Sequence, residues 1–515
     1  MDIDCRLLVL ECLSYSGINP QLTSTFKPKT TNPKPTTQNP QPTTTQMKQT
    51  ERANFGSKLG IILATAGSAV GLGNVWRFPY MTGQNGGATF IVIYALCVLM
   101  IGIPCMVSEF IVGRHGASNT ARAYGRMGAA KGWMAIGFLA VFTSFLISGY
   151  YSIVSGWCLN YTVASLTGNL RGTPDSFVQY FKDFSTNPVT PIIWGIIFLG
   201  GTHWIITRGV RRGIEKASKL LMPLLFILLL VIVVAACLLP DADKGLTFLF
   251  KPDFDHINKD VFLSAIGQSF YSLSIAMGCA CTYASYFTRQ TNLAGSAVQI
   301  SVIDSVVAIL AGMMIFPAAF SVGVSPDSGP SLIFITLPNV FQQAFGAIPF
   351  VQELISFSFF ALMSLAALTS LISVNEVTTA FCQEELHISR PRAAAIVTTG
   401  SIILGVISSL SLSNIDCLVV AGKSFFDWFD FITGQIFLPI GGFFTCIFLG
   451  WIVDKKIVKD EFTNWGTLKD TFFGAYYLMI RFVCPLAILV IFLHQFGIIK
   501  GKTVISSSNI HVFAI

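Results

Sequence analysis

The sequence predicts an all-α integral membrane protein of eleven transmembrane helices, built as a 5+5 inverted repeat in which helices 1 and 6 are broken. Three observations lead there. From Lys58 onward, apolar runs of roughly 20 residues recur, each long enough to cross a ~30 Å hydrocarbon core. Hydrophobic residues make up 53% of the chain and charged residues only 11%, a balance that suits lipid rather than water as solvent. Two of the runs are interrupted by small and polar residues at corresponding places in the two halves. A free backbone N–H or C=O in hydrocarbon costs several kcal/mol, so such breaks are tolerated where they line a protected cavity.

The predicted spans are 58–82, 88–112, 132–166, 190–207, 214–239, 261–287, 293–323, 347–384, 392–412, 428–452 and 471–498. The third, seventh and eighth are long enough to tilt or to extend beyond the bilayer. Residues 1–51 differ from all that follows. Between Gln21 and Thr50 they are rich in Thr, Pro, Gln and Asn, cannot bury an apolar face, and read as disordered. Leu7 to Leu13 is too short to span and lacks a basic flank and a cleavage site, which argues against a signal peptide. Translation from Met47 is an equally good reading, which would leave that segment unmade. The transporter domain is expected over 52–505 and a tail over 506–515.

Loop charges set the orientation. Arg52 and Lys58; Arg114, Arg122, Arg126 and Lys131; Arg208, Arg211, Arg212 and Lys216; Arg289; Arg390 and Arg392; and Lys455, Lys456 and Lys459 fall on one side. The opposite loops balance their cations with acids, as Asp241, Asp243, Asp253, Asp255 and Asp260 do against Lys244, Lys251 and Lys259. The positive-inside rule then puts the N-terminus in the cytoplasm, and an odd number of spans puts Ile515 outside the cell membrane. The net charge of +7 belongs to these loops and implies no nucleic-acid partner. The 12 cysteines lie mostly in apolar runs without metal-type pair spacing and read as small core residues.

The first break is Ser68-Ala69-Val70-Gly71-Leu72-Gly73, and the second is Ser272-Leu273-Ser274-Ile275-Ala276-Met277-Gly278. Paired breaks of this kind are the signature of an inverted-repeat transporter with its site between them. A glycine packing face between helices is the competing explanation for either break alone.

The run from Gly67 through Asn74-Val75-Trp76-Arg77-Phe78-Pro79-Tyr80, with Asn85-Gly86-Gly87, Gly102-Ile103-Pro104, Gly267-Gln268-Ser269-Phe270, Thr282-Tyr283-Ala284-Ser285-Tyr286 and Ala366-Ala367-Leu368-Thr369-Ser370, closely resembles the neurotransmitter:sodium symporter family, in particular its bacterial amino-acid transporters. The likeness covers about residues 52 to 498. It implies one or two sodium ions and no organic cofactor, an amino-acid substrate and a bilayer as partners, and it admits a homodimer. The bacterial leucine transporter of this family is itself a standard illustration of binding at broken helices.

By that resemblance, one sodium site uses the carbonyls of Gly67, Val70 and Ala366 with the hydroxyls of Thr369 and Ser370, while the other uses the Ala69 carbonyl, Asn74, Ser272 and Asp304. Many relatives carry Asn where this chain has Asp304. A carboxylate at membrane depth is costly unless it meets a cation or stays protonated, which makes Asp304 a functional candidate. Chloride-dependent animal relatives bind the anion with residues that Tyr94, Gln268 and Ser272 match, but Asp304 would bring the negative charge itself and Ala308 lacks a hydroxyl there. Transport without chloride is therefore expected.

Amine-transporting relatives have Asp at the position of Gly71, so Gly71 leaves room for a substrate carboxylate against the free N–H groups of Leu72 and Gly73, with Tyr151 donating to it. The remaining wall, Ser68, Ala69, Ile147, Tyr271, Ser272, Ser274, Met277, Ser370 and Val374, holds no full charge and suits a neutral, hydrophobic amino acid. Met277 is flexible and favours breadth over one substrate. Tyr271 stands where Phe is more usual. Arg77 and Asp430 match an outer gate pair, under which Tyr151 and Tyr271 form a lid; Arg52 and Glu384 match the inner pair, with Phe55 in place of Trp. Glu109 and Glu376 are expected to hold unwound backbone N–H groups near the sixth span.

Other classes fit less well. A channel usually assembles rings from repeated subunits, not two dissimilar breaks in one chain. His203 and His494 lie at or near helix ends without partners, and no His-Glu-x-x-His or Gly-x-Ser-x-Gly motif occurs, which argues against an enzyme. A transporter of an amine or osmolyte, or a sensor that binds without transport, remains open at this point.

Overall fold

A computed structural model describes residues 54–253, 259–323, 332–348, 350–413 and 418–495. Arg52 and the flanking segments 1–51 and 496–515 lie outside the described residues. In chain order the helices are α1 (Lys58–Ala69), α2 (Gly73–Gln84), α3 (Ala88–Gly116), α4 (Thr120–Gly125), α5 (Lys131–Leu166), α6 (Pro174–Ser185), α7 (Thr190–Thr207), α8 (Val210–Cys237), α9 (Ala242–Phe250), α10 (Lys259–Ser272), α11 (Cys279–Ala284), α12 (Leu293–Ser321), α13 (Leu337–Phe345), α14 (Val351–Glu385), α15 (Arg390–Leu410), α16 (Phe425–Ile452), α17 (Lys455–Phe462) and α18 (Phe473–His494). A two-residue antiparallel hairpin pairs Val419–Val420 with Lys423–Ser424.

Among the described residues, nine of these helices are long and apolar enough to cross a membrane. The pair α1 and α2, bent by 55° at its break, adds a tenth span. The predicted sixth span is present as α10 and α11, two pieces each too short to span alone. The fold is the all-α, twice-broken bundle that the sequence predicts.

Local signals explain the ends. Ser57 caps α1 by accepting the Gly60 N–H at 3.0 Å, and Asn292 caps α12 by accepting from Gly295 at 2.9 Å. The short helices α6, α9, α13 and α17 lie outside the long apolar runs, where hydropathy alone gives no span.

Two span ends differ from expectation, the first because a charged side chain finds buried partners. The second span reaches Gly116, so Arg114 is inside a helix and not a loop cation. Its guanidinium donates to Glu461 Oε2 at 2.7 Å, to the Thr291 carbonyl at 2.7 Å and to Asn464 at 3.0 Å, with both charged side chains 3% exposed. The fifth span begins at Val210, which places Arg211 and Arg212 on its first turn.

The core is organised around α14. It packs along α5 over much of its length and also contacts α1, α8 and α15. Glu376, fully buried in α14, accepts from Tyr286 at 2.8 Å and from the Arg390 guanidinium at 2.5 and 3.0 Å. This corrects its expected role: it holds a phenol and an arginine, which in turn donates to the Ile206 carbonyl at 2.9 Å. Removing one member of a buried pair leaves the other uncompensated, at about 3–5 kcal/mol. Glu376→Gln should therefore lower the thermal midpoint of the purified protein by several degrees; an unchanged melting curve would remove the pair from the list of structural ties.

Candidate functional site

The site forms where two helices stop in mid-fold. α1 ends at Ala69, Val70 is extended (φ −69°, ψ 100°), and α2 starts at Gly73 with a wide turn over Gly73–Arg77. The second break, between Ser272 and Cys279, turns through Ser274 (φ 51°), Ala276 (φ 66°) and Gly278 (φ 77°). Two of those left-handed positions are not glycine, so the surroundings must hold them. They do. The Ala276 N–H donates to Glu109 Oε1, the Ser274 hydroxyl donates to the Ser68 carbonyl at 3.0 Å, Ser144 donates to the Met277 carbonyl at 2.5 Å, and Thr120 donates to the Gly278 carbonyl at 3.2 Å. Glu109 thus has the role expected of it.

One cavity lies between the breaks. Ser68, Ala69, Gly71, Leu72, Gly73, Ile147, Tyr151, Tyr271, Ser272, Ser274, Met277, Ser370 and Val374, the whole set expected around a substrate, line it. So do Asn74, Tyr150, Thr433, Gly434 and Leu438. Of these, Tyr150 and the three residues of α16 went unread. They sit in apolar runs without a break, and the only sign near them was Asp430.

At one end of the cavity the Leu72 N–H donates to the Tyr151 hydroxyl at 3.3 Å. A Cβ on Gly71 would come within 2.6 Å of Ser370 Oγ and 3.3 Å of the Tyr151 oxygen, so the absent side chain is what leaves this corner open. Ile147, Met277 and Val374 supply an apolar wall.

Oxygens gather on two sides. Ser370 Oγ lies 3.4 Å from the Gly67 carbonyl and 3.3 Å from the Val70 carbonyl, and Thr369 Oγ1 lies 3.0 Å from the Ala366 carbonyl. On the other side, Asn74 Nδ2 reaches Asp304 Oδ1 at 2.6 Å and Ser272 Oγ at 3.2 Å. Ser272 and Tyr94 donate to Asp304 Oδ2 at 2.6 and 3.3 Å. The Asn74 side-chain oxygen accepts the Gly71 N–H at 3.1 Å, tying this cluster to the first break. Neutral and anionic oxygens in such sets suit a hard monovalent cation. Gln268 is fully buried, and neither of its amide atoms has a partner among the described residues.

The gates are met in part. Arg77 and Asp430 do not reach ion-pair distance among the described residues. The Arg77 guanidinium instead sits 4.2 Å over the Tyr271 ring, while Asp430 accepts from Tyr150 at 3.3 Å, so Tyr150 joins the lid expected of Tyr151 and Tyr271. At the other end, Glu384 accepts from Asn119 N–H at 2.8 Å and Nδ2 at 3.2 Å, and its expected partner Arg52 is outside the described residues. Phe55 is buried against Tyr283, Tyr286 and Phe287, with ring centroids 5.9, 6.2 and 6.3 Å away. His203, read as unpartnered, meets the Thr398 hydroxyl at 3.0 Å.

A family model described as the sodium:neurotransmitter symporter family matches residues 52–182 and 185–507. The chain belongs to that family. This symporter is 35% identical over 460 residues to "Uncharacterized sodium-dependent transporter YhdH" of Bacillus subtilis, covering 88% of this chain and 100% of that one. It is 24% identical over 459 residues to the human "Sodium- and chloride-dependent GABA transporter 2", covering 80% and 75% of the two chains. Its fold matches the crystal structure of MhsT in complex with L-phenylalanine with a TM-score of 0.77 and 38% identity, covering 86% of this chain and 99% of that one. The chain is accordingly a multi-pass membrane protein of a sodium-dependent transporter family, not an enzyme, and it carries a small-molecule substrate with sodium.

Proposed function

We propose that this symporter couples sodium entry to the uptake of neutral, mainly hydrophobic amino acids and needs no chloride. The observation that carries the reading is the corner at Gly71. The Leu72 amide, the Tyr151 hydroxyl and a glycine without a side chain meet there, opposite a wall of Ile147, Met277 and Val374. A carboxylate fits against the positive end of α2, and an apolar side chain fits the wall. The oxygens around Ser370 and those around Asp304 are read as two sodium sites. The second would lie beside the substrate carboxylate, so that each ligand improves the affinity of the other. Asp304 brings the negative charge that chloride would otherwise bring. The likeness to MhsT, which was crystallised with L-phenylalanine, supports an aromatic or large aliphatic substrate. We place the protein in the cell membrane with its N-terminus in the cytoplasm and its C-terminus outside.

The experiment is uptake into proteoliposomes of radiolabelled Phe, Leu, Ile, Met, Val and GABA, with an inward sodium gradient against a potassium one. Accumulation of the apolar amino acids only with sodium is expected, and Thr369→Ala should reduce it at least about tenfold by removing one oxygen from a cation site. Binding without accumulation would overturn coupling and favour a sensor. Accumulation of GABA alone would overturn the substrate reading.

A further inference from the structure

A second cavity, remote from the breaks, lies where α7 turns into α8. α7 ends at Thr207 and the chain reverses at Gly209, whose φ of 84° a residue with a side chain rarely adopts. The turn gathers Arg208, Arg211 and Arg212, and the first turns of α8 add Lys216 and Lys219; Gly56, just ahead of α1, closes one side.

The cations outnumber the acids. Among the described residues Glu215 is the one carboxylate in the lining, and it is already engaged: it accepts from Gly56 N–H at 2.6 Å and Ser57 at 2.8 Å, and it pairs with Lys219 at 2.7 Å. Among the described residues, Arg208, Arg211, Arg212 and Lys216 have no carboxylate within ion-pair distance. Arg211 lies across Gly56, where a Cβ would meet its Nε at 2.6 Å. Guanidinium groups held around a concave space match the geometry of phosphate oxygens.

The depth of the cavity says where that phosphate comes from. Trp204, 57% exposed, stacks under Arg208 with 3.8 Å between guanidinium carbon and ring centroid. Exposed tryptophans of this kind mark the boundary between hydrocarbon and water. On α8, Lys216, Leu220, Leu224 and Ile227 follow one another at helical spacing, and the three apolar members are 69%, 40% and 58% exposed. The cations therefore sit at the head of an apolar stripe.

We propose that this cavity binds the phosphate of an anionic phospholipid, with its acyl chains against Leu220, Leu224 and Ile227. Basic pockets between spans at the headgroup level bind acidic lipids in this way. Because Glu215 ties Gly56 and Ser57 to the start of α8, the bound headgroup sits on the junction of the first and fifth spans and stabilises it. The proposal is independent of which solute the symporter carries.

The test uses the purified full chain in mixed micelles of equal phosphatidylglycerol and phosphatidylcholine, with retained lipid counted by native mass spectrometry and thermal midpoints recorded in parallel. Phosphatidylglycerol should be retained about tenfold over phosphatidylcholine and should raise the midpoint. The triple variant Arg208→Gln/Arg211→Gln/Arg212→Gln should lose that preference. The control Lys455→Gln/Lys456→Gln, which removes the same kind of charge from α17, should keep it. If the triple variant does not fold, Arg212→Gln alone should still reduce the preference severalfold. No preference, or equal loss in the control, would overturn the proposal in favour of a diffuse surface charge. Inorganic phosphate giving the same rise in midpoint without lipid would overturn it in favour of a soluble anion.

Discussion

Gly71→Ala is expected to cripple substrate binding while leaving the protein folded. The new methyl would lie 2.6 Å from Ser370 Oγ and 3.3 Å from the Tyr151 oxygen, in the corner proposed for the substrate carboxylate. Overpacking of this kind costs about 1–3 kcal/mol, which corresponds to an affinity lower by about 5- to 150-fold. The side chain of Ser370 is short and held by two carbonyl contacts, so it has little room to move aside. Equilibrium binding of radiolabelled Phe in saturating sodium measures the effect, with the melting curve as a check on folding. Wild-type affinity in the variant would show that the carboxylate is bound elsewhere.

Asp304→Asn should make uptake, proposed to need no chloride in the wild type, fail without chloride. The Asp304 carboxylate is 0% exposed and takes hydrogen bonds from Asn74, Ser272 and Tyr94. Neutralising it would leave the cation proposed at that depth without its counter-charge, at about 3–5 kcal/mol, or roughly 150- to 5,000-fold in sodium affinity. Added chloride should restore part of the loss through the hydroxyls of Tyr94 and Ser272. Sodium titrations of uptake with chloride and with gluconate separate the outcomes. Equal sodium affinity of wild type and variant in gluconate would remove Asp304 from the cation site.

The first break was legible because glycine and serine cluster inside an otherwise apolar run and a second such cluster stands at the corresponding place in the other half: Ser68 to Gly73 falls where α1 stops and α2 begins. The second break was legible through Ser272, Ser274 and Gly278, although its left-handed turns at Ser274 and Ala276 were not, because they depend on Glu109, Ser144 and Thr120 from other helices. The expected pocket residues converge on one cavity, yet Thr433, Gly434 and Leu438 came unannounced. Nothing local distinguishes a residue that faces a cavity from one that faces a neighbouring helix. Charges were the hardest to place. Arg114 finds Glu461, 347 residues further on, and Glu376 finds Arg390 on the next helix; which carboxylate meets which arginine is decided by packing, not by spacing.

Glu109 pins the amide of Ala276 to α3, and Ser274 pins the opposite wall to the Ser68 carbonyl. The linker between α10 and α11 therefore has a fixed anchor point and no slack, since rewinding it into helix would strand a buried carboxylate. A motion of α10 that keeps the Ala276–Glu109 hydrogen bond is expected to pivot near Ala276 and not to slide along the helix axis.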